Sequence, residues 1–382
     1  MRLYIGLLIL LLSQSLCAKE RLKYYWFQIM PNNEHWFRVI SEGISCPSAV
    51  VDGKLVEMDI FEHQKKGFPI LLCKLNIKDN IKKLVIGGIN MNIPKFYDFK
   101  KIGFIGNTGC QLNDKKVQNC YKDWKFANIA FNLLNKKPDL LVHLGGYVYR
   151  EKCNDSTLCQ GINTGDNWDA WKDDFFEPIK YLLESTPLIF TYGEQEKCDK
   201  MGNGWRLFFG DKSYCSDEKN SFSVKIDDML SYLIINGAIT KQNIENINLI
   251  RRFDTIENIW VISSNPFFAC DKNDKISYNH LDSITKISDD HLSNNQKSLL
   301  LDQKIKTIIS SNFKLQQFCK DKDNNRLQII IGNSGALMDD DNQYKSDNKY
   351  GFTIIKKDPA TDSWDIVSYD INGDINNKYK WW

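Results

Sequence analysis

Leu140-Leu141-Val142-His143-Leu144-Gly145-Gly146-Tyr147-Val148-Tyr149-Arg150-Glu151 runs from a short segment apolar on both faces into a double-glycine turn and then into polar, aromatic chemistry. A strand apolar on both faces must be covered on both faces, which is the habit of parallel or mixed sheets. The same form precedes it at Ile102–Ile105, followed by Gly106-Asn107-Thr108-Gly109-Cys110. It recurs at Leu188–Tyr192, Leu230–Asn236, Ile259–Ser263, Ile305–Ser310 and Leu327–Ile331. Amphipathic stretches at Trp124–Leu134 and Phe175–Leu183 lie between them, so the order of elements predicts an α/β domain. In such a sheet the loops that do chemistry follow the carboxyl ends of the strands.

Working outward, residues 19–97 carry shorter segments (Tyr24–Met30, Trp36–Ile40, Pro69–Leu75, Lys83–Gly87) separated by Pro, Gly and Asn. They read as a small β-rich N-terminal domain, leaving 98–382 as the main domain. The segments Tyr350–Lys356 and Trp364–Asp370 read as a closing β-meander, and Asp271–Asn295 as a polar surface loop. No internal repeat is present.

The chain has 382 residues, 42% apolar and 26% charged, which excludes disorder, collagen and coiled coil and allows one large domain or a large one with a small one. Its formal net charge of +2 gives no field that would draw it to nucleic acid or an anionic membrane. Lysine far outnumbers arginine, as an AT-rich coding genome would produce. Five histidines (His35, His63, His143, His280, His291) are few for a site built of several imidazoles.

Residues 1–18 read as a signal peptide: Arg2, then the apolar run Leu3–Leu12, then small and polar residues before Lys19-Glu20. The run is too short to span a bilayer, and no transmembrane segment is expected in the mature chain. Cleavage after Cys17 or Ala18 is favoured over lipoprotein anchoring through Cys17, because Leu16 is bulky where a lipobox needs a small residue. The expectation is an exported protein, periplasmic or secreted. Without Cys17, ten of the 11 cysteines remain, an even number suited to an oxidising compartment. Nearest-neighbour pairing (Cys46–Cys73, Cys110–Cys120, Cys153–Cys159, Cys198–Cys215, Cys270–Cys319) gives mostly short loops and is the expected connectivity. No C-x-x-C occurs, which removes zinc-ribbon and thioredoxin-type readings.

Taken in order, the strand ends read Gly106-Asn107-Thr108-Gly109-Cys110, Gly145 to Glu151, Gly193-Glu194-Gln195-Glu196, Ser263-Ser264-Asn265-Pro266 and Ser311-Asn312-Phe313-Lys314. The series resembles the calcineurin-like metallophosphoesterases, whose loops read G-D-T-G-C, G-D-Y-x-Y-R-E, G-N-H-E, H-H-P and G-H-x-H. The likeness extends to Pro138–His143, to Trp168-Asp169-Ala170-Trp171 with Phe175-Phe176, and to Gly204-Trp205-Arg206, so it covers residues 100–370. It implies a calcineurin-like fold of layered β-sheets flanked by helices, with two divalent metal ions activating water.

The metal-ligand positions depart from that pattern. Asn107 stands for the first aspartate, Gly146 for the bridging one, Glu194 and Gln195 for the Asn-His pair, Ser264 and Asn265 for the His-His pair, and Asn312 and Lys314 for the last two histidines. Glycine offers no bridging atom, amides bind transition metals weakly, and a lysine adds charge where a cation would sit. These residues form a vestigial pocket with no catalytic or metal assignment, and no resident cofactor is expected. Structural roles stand beside this: Asn107 and Asn265 can bond their own loops, Gly146 can make a turn, and His143 can be a core histidine. Glu194 and Lys314 can pair in the vacated volume, or each face water.

Three functional readings follow. The first is an exported pseudo-phosphoesterase that acts by binding a phosphorylated ligand or an envelope protein. The alternative is an active phosphoesterase with an atypical metal site around Asn107 and Glu194. A hydrolase using Glu194 and Glu196 as an acid/base pair is disfavoured, since both lie on one short loop. There is no G-x-S-x-G, Walker A or strand-to-helix G-x-G-x-x-G motif. Gly332-Asn333-Ser334-Gly335 reads as a turn, and Asn154-Asp155-Ser156 as a glycosylation sequon relevant in a eukaryotic host.

Overall fold

The computed structural model describes residues 22–155, 157–212, 214–215, 222–227, 230–235, 258–277, 304–321, 325–339, 346–347, 349–361 and 363–381. The expected signal peptide, Cys17, Ser156, His280, His291 and most of the 271–295 segment lie outside these residues.

Two large sheets stack on each other. The first has ten strands in the order Ile375–Trp381, Trp364–Asp370, Gly351–Lys357, Lys101–Ile105, Leu140–His143, Leu188–Phe190, Tyr24–Ile29, His35–Ser41, Leu71–Ile77 and Asp59–Glu62. Its centre is parallel, with Val142 opposite Phe104 and Ile189, and both flanks are antiparallel. The second has six strands in the order Phe222–Lys225, Leu230–Ile235, Asn258–Ser263, Ile305–Ser310, Arg326–Ile331 and Gln316–Asp321, with four consecutive parallel neighbours. The doubly apolar segments of the sequence are these parallel strands, and the three C-terminal strands of the first sheet form the expected meander.

Burial explains why the strands had to be apolar on both faces. Ile102, Phe104, Leu140 and Val142 point into a core shared with Tyr232, Trp260, Ile262, Ile309 and Ile329 of the second sheet. Alternate residues Ile105, Leu141, Leu188 and Phe190 turn the other way, onto Ile129 and Leu133 of helix Phe126–Asn135 and Ile179, Leu182 and Leu183 of helix Glu177–Ser185. The layers are therefore helices, sheet, sheet, as the resemblance implied.

The 19–97 segment is β-rich, yet it does not close on itself. Its strands Tyr24–Ile29, His35–Ser41, Leu71–Ile77 and Asp59–Glu62 extend the main sheet through the parallel pairing of Gln28 with Leu188. Among the described residues of this segment, Lys54–Val56, Ala49–Val51, Leu84–Ile86 and Ile89–Met91 form a separate four-stranded sheet. The fully buried Arg38 adds a second tie, donating to the carbonyls of Leu207, Phe208 and Gly210 at the C-terminal end of helix Gly202–Phe209. The guanidinium satisfies carbonyls that a helix end leaves without partners.

The five expected disulfides are present: Cys46–Cys73, Cys110–Cys120, Cys153–Cys159, Cys198–Cys215 and Cys270–Cys319. Among the described residues no helix is long and apolar enough to cross a membrane.

Candidate functional site

The five strand-end loops converge. Asn107 N–H donates to Gly145 O (2.9 Å), and its side-chain amide donates to Ser311 O. Ser311 and Asn312 N–H both donate to Ser264 O, at 3.2 and 2.7 Å. Gly193 packs so closely on Ser264 that a Cβ built on it would stand 3.4 Å from the serine Cβ. Short strands delivering glycine turns bring Asn107, Gly146, Ser264 and Asn312 to one end of the sandwich.

At the centre sits a closed contact between Asn107 and the second loop. Asn107 takes a left-handed φ of +52°, and its Oδ1 accepts the Tyr149 hydroxyl at 2.7 Å. Gly146 has φ +74°, and a Cβ there would meet Asn107 Oδ1 and stand 2.9 Å from both Asn107 Cα and Tyr149 Cε2. Only glycine fits that backbone and that space. The Lys314 ammonium lies over the Tyr149 ring, 4.7 Å from its centroid, and donates to Gln111 Oε1 at 2.9 Å.

Glu194 and Lys314 do not form the ion pair considered from sequence. Glu194 turns outward and pairs with Lys197 at 2.5 Å, one helical turn's reach along the same loop. Gln195 is buried and donates to Glu151 Oε1 at 2.6 Å. Ser264 and Asn265 are buried, and Ser264 Oγ and Asn265 Oδ1 have no hydrogen-bond partner among the described residues.

Two carboxylates organise the site: Glu196, weighed from sequence only as half of a disfavoured acid/base pair, and Asp174, which sequence reasoning missed. Glu196, fully buried, accepts N–H from Gly146 (2.9 Å) and Tyr147 (3.0 Å) on one oxygen and from Gly193 (2.9 Å) on the other. It ties the second and third loops together, so it does not stand opposite Glu194 as an acid/base partner. Its sequence signal was its place after the Gly193 turn, two residues from Glu194. Asp174 lies on a π-type turn, Lys172–Phe176, and accepts Arg150 Nε at 2.5 Å together with the N–H groups of Cys110 and Tyr149. An acid flanked by Trp171 and Phe175 in a helical apolar pattern was the available clue, and π-type turns recur near functional sites.

Burial sets the protonation states. It raises the Glu196 carboxyl to about 7, opposed by the N–H groups of Tyr147, Gly146 and Gly193. It raises Asp174 to about 7, opposed by Arg150. Lys314 is lowered to about 8, first by burial, against the pull of Asp339 and with a further push from Lys116. His143 is fully buried, well below its ordinary value, and stacked 3.8 Å from Tyr147. Gly145 N–H donates to its Nδ1, leaving Nε2–H for Thr108 Oγ1 at 2.9 Å. It behaves as a core histidine.

The donor set does not fit the dinuclear metal centre implied by the resemblance. Asn107 Oδ1 is engaged by a phenol, position 146 lacks a side chain and the room for one, and an ammonium sits beside them. Two divalent ions need several anionic or imidazole donors and a bridging carboxylate. Among the described residues no three His, Cys, Asp or Glu side chains group as metal ligands do.

Comparison with known proteins follows the same geometry. The profile of the family described as calcineurin-like phosphoesterase matches residues 101–311. A purple acid phosphatase, PPD1, from yellow lupin (Lupinus luteus) superposes with TM-score 0.59 at 13% identity, covering 94% of this chain and 73% of its own. The structure of PhoD gives TM-score 0.55 at 9% identity, covering 94% and 88% respectively. At these identities the likeness is one of fold. No curated protein sequence matches the chain.

Proposed function

We propose that this chain, which belongs to the calcineurin-like phosphoesterase family, is a catalytically degenerate member that is exported and acts by binding at its strand-end loops. Gly146 carries the reading. The position that supplies the bridging aspartate in the resembling loops is a glycine at φ +74°, and the volume beside it is filled by Asn107 and the Tyr149 ring. An aspartate there would have to displace both. The ligand class is a phosphorylated molecule or an envelope protein. Lys314, half-buried over Tyr149, offers an ammonium, and in the same loop cluster Ser264 Oγ and Asn265 Oδ1 are buried polar atoms without a hydrogen-bond partner among the described residues. Export is supported by five disulfides that use all ten described cysteines.

The test is metal content by mass spectrometry on the oxidised mature protein, after incubation with manganese and zinc and removal of the excess, beside an aryl-phosphate assay. The expected result is no stoichiometric metal and no turnover. Two metals per chain with turnover would overturn the proposal and establish the atypical active site instead.

A further inference from the structure

The strand Lys101–Ile105 runs from Asp98 at one end of the sandwich to Asn107 at the other. A cavity of about 530 Å³ opens at the Asp98 end, between the start of strand His35–Ser41, the 96–98 segment and the end of strand Phe222–Lys225. That volume lies within the range of small-molecule sites. His35, its side chain 6% exposed, lines the cavity with its ring stacked 4.1 Å from Phe96 at 11°. Its Nδ1–H donates to Asp79 Oδ1 at 2.7 Å, so Nε2 carries a lone pair, and that nitrogen has no partner among the described residues. Burial holds the ring below its ordinary value against the pull of Asp79, which keeps Nε2 an acceptor.

The rest of the lining points to one chemistry. Asp79, Asp98, Lys225 and Asp227 also line the cavity. Asp98 is engaged by Lys100 and Asp227 by Lys357 at 2.8 Å, whereas Asp79, 68% exposed, has the neutral imidazole as its partner. Its negative charge is therefore not offset by a neighbouring cation in the way those two are. An imidazole acceptor, a carboxylate with no lysine or arginine ion-pair partner and a flat Phe96–His35 wall together favour a ligand with N–H donors and positive charge.

We propose that this cavity is a second ligand site, separate from the strand-end loops, that takes a small organic ammonium ion within reach of His35 Nε2 and the Asp79 carboxylate. Tyramine is the probe, titrated into the oxidised mature protein while the His35 ring nitrogens are followed by two-dimensional proton–nitrogen NMR. The expected result is a saturable shift of the Nε2 resonance with a dissociation constant of about millimolar or tighter. Asp79→Asn, an exposed substitution that leaves the fold intact, is expected to weaken binding at least about tenfold, by removing the charge at contact distance. Benzoate is expected to leave the resonance unmoved. No tyramine shift at His35, equal affinity in Asp79→Asn, or equal binding of benzoate would each overturn the site.

Discussion

Replacing Glu196 by glutamine probes the knot that holds the loops together, and its effect changes with pH. In the folded protein this carboxyl is raised from 4.5 to about 7 by burial, which corresponds to about 3 kcal/mol. Between those two pH values the folded state keeps a proton that the unfolded chain has released. Stability therefore falls as pH rises through this window, by about 3 kcal/mol, and levels off above pH about 7. Glutamine does not titrate. Its oxygen can keep the N–H groups of Gly146 and Tyr147, but its NH2 meets the Gly193 N–H, now without an acceptor. A buried unsatisfied donor costs about 1–3 kcal/mol at any pH. Glu196→Gln should thus be less stable than wild type by that amount at pH 5, and close to wild type at pH 8. Urea unfolding followed by tryptophan fluorescence, disulfides intact, at several pH values measures the difference. Asp174 titrates in both proteins and cancels. Parallel stability curves for the two proteins would refute the reasoning, as would a penalty that grows with pH.

Four further outcomes are expected. Gly146→Ala should cost about 2–3 kcal/mol in chemical denaturation, since the new Cβ meets Asn107 in a backbone conformation that disfavours it. Asp174→Ala should cost about 3–5 kcal/mol by leaving Arg150 buried without its closest carboxylate, and a loss under 1 kcal/mol would contradict the pairing. Arg38→Met should lower stability by about 3 kcal/mol as three carbonyls at the end of helix Gly202–Phe209 lose their donor, read as a drop in melting temperature. Removing Cys270–Cys319, with a sequence separation of 49, should cost about 4 kcal/mol, against about 2 kcal/mol for Cys153–Cys159 with a separation of 6, by calorimetry of paired serine variants.

The parallel strands were legible because burial on two faces leaves a mark on every residue, as in Leu140–Val142. The disulfides were legible because short loops favour neighbours. The loops themselves were less so. A strand fixes side-chain direction by its period of two, but a turn does not, and Glu194 and Glu196 emerge on opposite sides of one turn. The Tyr149–Asn107 contact joins residues 42 apart through left-handed backbone at Asn107, which composition does not announce. The cavity at His35 is assembled from segments almost 200 residues apart, a proximity that no local pattern encodes. Boundaries within 19–97 were blurred for the same reason, since strand pairing across the chain decides where one sheet ends.

The parallel pairing of Gln28 with Leu188, and the anchoring of Arg38 on carbonyls at 207–210, set an order of events during synthesis. The N-terminal strands are made first, yet the neighbour of Tyr24–Ile29 and the acceptors of Arg38 emerge more than 150 residues later. At about 5–20 residues per second, that is a wait of roughly ten to thirty seconds with one sheet edge open and one arginine unsatisfied. A ribosome-bound chain stopped before residue 190 should therefore expose this edge to chaperones and proteases, whereas one long enough for residues 188–210 to have left the ribosome should protect it.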